Sequence, residues 1–146
     1  TLAPGHDRIV NTRVFLVPAP RAPLPSWLDR GKGKHYVIKR LKVALPAAST
    51  ARMQADAKAF LGKPYDLTFE WSDDRIYCSE LVWKLYKRSV DIELAPLSEL
   101  RSFDLNSPIV KAKLKERYGA NVPLNEPVVS PSDLFDSTLL ETVSKR

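Results

Sequence analysis

Covalent chemistry in this chain can rest on one thiol and two imidazoles. Cys78 is the single cysteine, and His6 and His35 are the only histidines. Cys78 sits in Ile76-Tyr77-Cys78-Ser79-Glu80-Leu81-Val82-Trp83-Lys84-Leu85-Tyr86, where an extended stretch gives way to an amphipathic helical pattern. A sulfur at a helix start meets unpaired N–H groups and the positive end of the macrodipole. Both favour the thiolate, which is the nucleophilic form. The competing reading is a small buried hydrophobe, the common fate of a lone cysteine. A cysteine nucleophile needs an imidazole to take its proton and often a third group to orient that imidazole. His6 lies in Gly5-His6-Asp7-Arg8-Ile9-Val10, before an apolar pair that can start a strand, and His35 follows a Gly/Lys run and opens another.

The same inventory limits other chemistries. One cysteine excludes an internal disulfide and any cysteine-rich metal site, and two histidines far apart argue against a zinc site. No structural metal and no cofactor is expected. Glu80 reads as an N-terminal helix acid favoured by the dipole rather than a general base. Asp73 and Asp74 read as a solvated turn without a catalytic role. Tyr65-Asp66 reads as structural, with Asp66 bonding backbone groups near the cysteine helix.

A chain of 146 residues is the size of one domain with room for a real core. Twenty-three basic and seventeen acidic residues leave a net charge of +6, which favours anionic partners. The basic clusters, Arg30 to Lys34 and Lys111 to Arg117, lack the interleaved aromatics of a single-strand binder, so no nucleic acid partner is expected. No apolar run reaches the length of a membrane span, and no signal pattern opens the chain. The chain starts at Thr1 rather than at a methionine, so an earlier leader, anchor or longer segment is one expectation, and localisation stays open.

The elements that must position Cys78 follow from periodicity and breakers. Arg13 to Val17 and His35 to Leu41 read as strands, with a helical turn at Ser26 to Arg30 between them. Ser49 or Thr50 is expected to cap a helix with Met53, Ala57, Phe60 and Leu61 on its apolar face and Gly62 past its end. Asp66 to Trp71 reads as extended, and the cysteine helix runs to about Lys87. Leu97 to Leu100 reads as a short helix and Val110 to Tyr118 as a clearer one. Ser130-Pro131-Ser132-Asp133 carries a cap, a first-turn proline and a first-turn acid, so a short helix should start there. Thr138 to Val143 reads as a last strand. Trp27, Trp71 and Trp83 are expected mostly in the core, and the mixture predicts an α+β domain with a mainly antiparallel sheet and packed helices.

Three ordered segments carry a resemblance. Gly62-Lys63-Pro64-Tyr65-Asp66, Ile76 to Val82 and Val128-Val129-Ser130-Pro131-Ser132-Asp133-Leu134 together resemble the YiiX/YebB-like group of the NlpC/P60 superfamily, which are circularly permuted papain-fold cysteine hydrolases. Val14-Phe15, Pro23 to Trp27 and Val37 to Leu41 extend the resemblance from about residue 13 to the C-terminus. It implies one permuted papain-like domain over residues 1–146, Cys78 as nucleophile, and Tyr77 as a tyrosine that helps position the substrate carbonyl or its oxyanion.

The chain also departs from that pattern. The family histidine stands in a Ser-His-x-Gly-Ile type motif after a strand opened by Gly-Asp; His6 keeps the spacing to an isoleucine but lacks the glycine, and the earlier strand is missing. An acid expected after the Val-Phe pair is Leu16. His6 is the first choice as base, with His35 or a histidine lost by truncation or divergence as the alternatives. The resemblance implies a thiol hydrolase acting on an amide or ester bond in cell-wall peptides, amino-acid amides or lipid-linked acyl groups. An anionic cell-envelope surface is the expected setting, with a periplasmic or secreted location favoured. The rivals are a non-catalytic wall- or lipid-binding module on the same fold and an inactive fragment of such an enzyme.

Overall fold

Breakers and caps divide the chain much as its composition suggests. The computed structural model describes residues 8–10, 21–23, 25, 26, 29 and 36–145. Strand β1 (Arg8–Val10) pairs antiparallel with β2 (Arg21–Pro23), and Asp29 N–H donates to the Pro25 carbonyl at 3.0 Å, closing one helical turn. The strand expected at Arg13 to Val17 lies outside the described residues, as do Leu16, Trp27, His6 and His35.

Strand β3 (Val37–Leu41) pairs antiparallel with β6 (Leu140–Lys145), with a register shift between Ile38 and Lys39. Between them in the chain come helix α1 (Ala47–Lys58), helix α2 (Cys78–Val90), strand β4 (Ser98–Glu99), a 3-10 turn at Leu100–Ser102, helix α3 (Pro108–Tyr118), strand β5 (Pro127–Val128) and helix α4 (Pro131–Phe135). All the described ladders are antiparallel, and one isolated parallel bridge joins Tyr65 to Ile76. The protein is therefore an α+β fold, as its periodicities predict.

Several boundaries differ from expectation. Helix α1 starts at Ala47 after Pro46, so Ser49 and Thr50 lie inside its first turn. Thr50 N–H already bonds the Pro46 carbonyl at 3.1 Å, and proline at the cap position sets the entry without a side-chain cap. The helix stops at Lys58, and Phe60 leaves the helical face to join Ile76, Leu81 and Leu85 in a core cluster between α1 and α2. Residues 66–71 are not extended: Asp66 turns the chain by accepting from Thr68 N–H at 2.7 Å, and Phe69 has φ +50°. Tyr118 O–H donates to the Thr68 carbonyl, and Trp71 N–H to Glu126 Oε1 at 2.6 Å, so distant residues hold this irregular loop. The segment read as a helix at Leu97 to Leu100 is instead β4 entering a 3-10 turn, because Ser98 and Glu99 pair with Val128 and Pro127.

Other ends follow their local chemistry. Helix α2 runs three residues beyond Lys87 and closes on Asp91 at φ +54°, with Ile92 N–H reaching back to the Tyr86 carbonyl at 3.2 Å. Helix α3 is capped by Ser107, whose hydroxyl accepts from Val110 N–H, and ends at Gly119, φ +62°. Helix α4 carries the capping box written in its sequence: Ser130 Oγ accepts from Asp133 N–H and Asp133 Oδ2 from Ser130 N–H, both at 3.0 Å. The main core gathers Tyr77, Trp83, Leu94, Ala95, Val129 and Leu134. Trp83 is buried there and donates its indole N–H to the Ala95 carbonyl at 2.7 Å, while Trp71 packs edge-on against it from a partly exposed position.

Candidate active site

Cys78 is the first residue of α2, and its side chain is exposed while Tyr77, Ser79, Glu80 and Leu81 around it are buried. Three contacts impose that orientation. Val129 N–H donates to the Tyr77 hydroxyl at 3.2 Å, Ser79 Oγ donates to the Val129 carbonyl at 2.8 Å, and Tyr77 N–H donates to Glu80 Oε2 at 3.3 Å. One residue before α4 therefore clamps both neighbours of the cysteine. The thiol is left facing outward at a helix end whose first N–H groups have no intrahelical acceptor.

Tyr65, read from sequence as structural, lines the same cleft as the thiol. It arrives through the parallel bridge with Ile76, and burial first, then the charge and hydrogen bond of Cys78, push its phenol up to about 12. Tyr77 is held higher still, again chiefly by burial, and Phe69 packs edge-on against its ring at 5.1 Å. Periodicity does not reveal Tyr65. The signal that could have found it is its place in the Gly62 to Asp66 segment, which is one of the motifs that carry the family resemblance.

Cys78 lies in the wall of a cleft of about 360 Å³, within the size range of small-molecule sites. Tyr65, Phe69, Leu100, Phe103, Val128 and Pro131 supply much of its lining, with Tyr77 and Ser79 beside the sulfur. Four segments distant in sequence thus meet around one thiol. Among the candidate site residues, Cys78 and Tyr77 come together in this cleft; His6 and the alternative His35 lie outside the described residues.

The acids near α2 have structural partners. Glu80 is fully buried, and burial pushes its carboxyl up to about 7 against the opposing pull of Lys84. Its Oε1 lies 2.7 Å from Lys84 Nζ as an ion pair, and the same ammonium donates to the Ser72 carbonyl at 2.6 Å and to Asp73 Oδ1 at 2.9 Å. Asp73 also binds Arg88, and that hydrogen bond first, then Lys84, holds its carboxyl well below the usual carboxylate range. Asp66 is fully buried and uses Oδ1 for Thr68 N–H and Oγ1. Among the described residues no group of three or more His, Cys, Asp and Glu side chains is arranged to hold a metal ion.

Residues 16–144 match the model of a family described as permuted papain-like amidase enzymes, YaeF/YiiX, C92. YiiX of Escherichia coli (strain K12) is 47% identical over 128 residues, which are 88% of this chain and 63% of that protein; the chain thus spans less than two thirds of that relative. The crystal structure of YiiX from Escherichia coli O157:H7, described as a metalloprotein, superposes with a TM-score of 0.87 at 42% identity. That match covers 95% of this chain and 76% of the other.

Proposed function

This chain belongs to the YaeF/YiiX (C92) family of permuted papain-like amidases, and from that premise we propose that it is a cysteine hydrolase acting on an amide or ester through Cys78. The observation that carries the reading is an exposed thiol at the first position of α2, in the wall of a cleft that Tyr65 and Tyr77 also line.

An imidazole takes the Cys78 proton, and the sulfur bonds to the substrate carbonyl carbon. The carbonyl electrons move onto oxygen, which faces the first-turn N–H groups of α2 and the nearby phenols. Collapse breaks the C–N or C–O bond, and the leaving group takes the proton from the imidazolium. Water then adds to the thioester while the imidazole accepts its proton; collapse releases the carboxylic acid and returns the proton to the thiol. His6 is assigned as the imidazole, with His35 as the alternative. Tyr65 is a second phenol in the cleft wall that holds the sulfur. Tyr77, whose oxygen accepts from Val129, keeps its own proton to donate at the same cleft.

The metal that describes the solved YiiX would require a donor set that the described residues do not bring together, so no step runs through one. The net charge of +6 supports an anionic surface as the setting in which substrate is met. Leu16, apolar where the resemblance leads one to expect an acid, favours a second reading, a binding module that no longer turns over its ligand.

Rapid mixing with p-nitrophenyl acetate separates the two readings. The hydrolase gives a burst of p-nitrophenol and an acetyl adduct at Cys78 by peptide mass, both lost in Cys78→Ala. Loss of the burst in His6→Ala or in His35→Ala names the base. Wild-type protein with neither burst nor adduct overturns the hydrolase reading and leaves the binding module or the inactive fragment.

A further inference from the structure

We propose that a second cavity, between α1 and α2, is a ligand site separate from the cysteine cleft and that it takes a phosphomonoester. Its wall carries three cations, Arg52, Lys63 and Arg88, and two acids, Asp56 and Asp73. Both acids are already engaged within the protein. Asp56 Oδ2 accepts from Ser89 Oγ at 2.6 Å, a bond from α1 to α2, and Asp73 accepts from Lys84 Nζ at 2.9 Å and from both terminal nitrogens of Arg88 at 2.5 and 2.9 Å. Arg52 stands four residues before Asp56 on α1, the spacing at which opposite charges on a helix meet, yet the two form no ion pair. Among the described residues neither Arg52 nor Lys63 has an ion pair or a side-chain hydrogen bond. Lys63 is also the member of the Gly62 to Asp66 motif to which the thiol chemistry gives no task.

The cavity wall therefore has one positive charge in excess and two cations uncommitted, and a concave wall of one sign concentrates ligands of the other. A guanidinium on α1 and an ammonium on the loop that follows match a phosphate dianion, which brings two charges and three acceptor oxygens; a carboxylate brings one charge. Carbon lies beside the cations. Phe60 is buried, Ala59 and Leu85 share the wall, and Arg88, fixed by Asp73, stands over the Phe60 ring with its guanidinium carbon 6.0 Å from the centroid. The organic body that carries the phosphate packs against this carbon surface. At about 470 Å³ the cavity is in the size range of small-molecule sites. Arg88 lies near the far end of α2 from Cys78, about 15 Å along the helix axis, so the site does not depend on the thiol or on the hydrolase reading.

The test is calorimetric titration with phenyl phosphate, inorganic phosphate, benzoate and phenol. Phenyl phosphate should bind saturably, about tenfold or more tighter than benzoate or phenol, and tighter than inorganic phosphate. Arg52→Gln with Lys63→Gln should weaken it by about tenfold or more, whereas Lys111→Gln with Lys115→Gln, which removes the same charge outside the cavity, should leave it unchanged. Asp56→Asn keeps an acceptor for Ser89 and removes the opposing charge, so it should tighten binding; this keeps the proposal falsifiable if the Arg52 and Lys63 variant does not fold. No saturable binding of phenyl phosphate, benzoate bound as tightly, no gain over inorganic phosphate, equal losses in the two double variants, or weaker binding in Asp56→Asn overturns the site. Soluble molecules and lipid headgroups both carry such a phosphate, and flotation with phosphatidylcholine vesicles containing phosphatidic acid separates them. With phenyl phosphate binding in hand, flotation lost in the Arg52 and Lys63 variant assigns a lipid source, and any other flotation result assigns a soluble one.

Discussion

Val129 N–H donates to the hydroxyl of Tyr77, 52 residues earlier in the chain, at 3.2 Å, and both residues are buried. With the Ser79 hydroxyl on the Val129 carbonyl, both backbone polar groups of one residue depend on the residues flanking Cys78. The loop before α4 and the first turn of α2 are therefore one mechanical unit.

Tyr77→Phe should leave the Val129 N–H buried and unpaired, at a cost of about 1–3 kcal/mol. Ser79→Ala should cost a similar amount through the orphaned carbonyl. Denaturant titration of both variants measures this; stability within error of wild type in Tyr77→Phe would mean that Val129 finds another acceptor.

Tyr65 offers a titration that reports on Cys78 across the cleft wall. The thiol's charge and hydrogen bond both raise the phenol, so Cys78→Ala should move the Tyr65 tyrosinate titration step downward from about 12. Burial, the larger cause, remains and keeps it above the ordinary 10.0. Difference titration against Tyr65→Phe assigns the step, and a midpoint insensitive to Cys78→Ala would separate the two side chains.

Glu80 should make stability depend on pH in an unusual direction for a carboxylate. Its folded value of about 7 exceeds the ordinary 4.5, so the folded state holds the proton more tightly than the unfolded chain. That contribution is full below pH 4.5, declines as pH rises through the window, and is lost above about 7. Asp73 has the opposite sign: its contribution is present above its ordinary 3.8 and is lost as pH falls through its depressed folded value. Melting temperature between pH 4.5 and 7.5 should show the Glu80 decline, and Glu80→Gln should flatten it. A slope unchanged by that substitution belongs to another group.

Lys84→Met should be among the most damaging single changes in α2. It leaves the buried Glu80 without its cation, at a cost of about 3–5 kcal/mol when Glu80 is charged. The penalty should shrink at pH 5, where Glu80 is protonated, and Glu80→Gln in the same chain should recover part of it at pH 7.5. A penalty equal at both pH values would trace to packing of the lysine stem instead.

Ser130→Ala removes the side-chain acceptor for Asp133 N–H and should cost about 1 kcal/mol. Because Ser130 and Pro131 also line the cleft, p-nitrophenyl acetate turnover should fall together with the loss of the cap. A stability loss with unchanged turnover would show that α4 holds the cleft wall without this cap.

Local chemistry was legible wherever the deciding partners lie within a few residues. Cys78 at a helix start, the Ser130–Asp133 capping box, the Gly119 helix end and the α+β mixture all follow from spacing, caps and breakers that act over one or two turns. The same short range explains the errors. Pro46 displaced the expected Ser49 or Thr50 cap by a single turn, and pairing with Pro127 and Val128 turned the expected helix at Leu97 to Leu100 into a strand end. Tertiary structure alone decided that Tyr65 and Cys78 line one cleft, that the Val129 backbone pairs with the hydroxyls of Tyr77 and Ser79, and that Asp73 joins the Glu80–Lys84 pair. It also decided that aromatic and aliphatic residues from four segments leave an apolar cleft at the thiol. The physical reason is one of range: helix caps and periodicity are energies between near neighbours, whereas the burial and hydrogen-bond demands that shape this site are met only by residues brought together when the chain has folded.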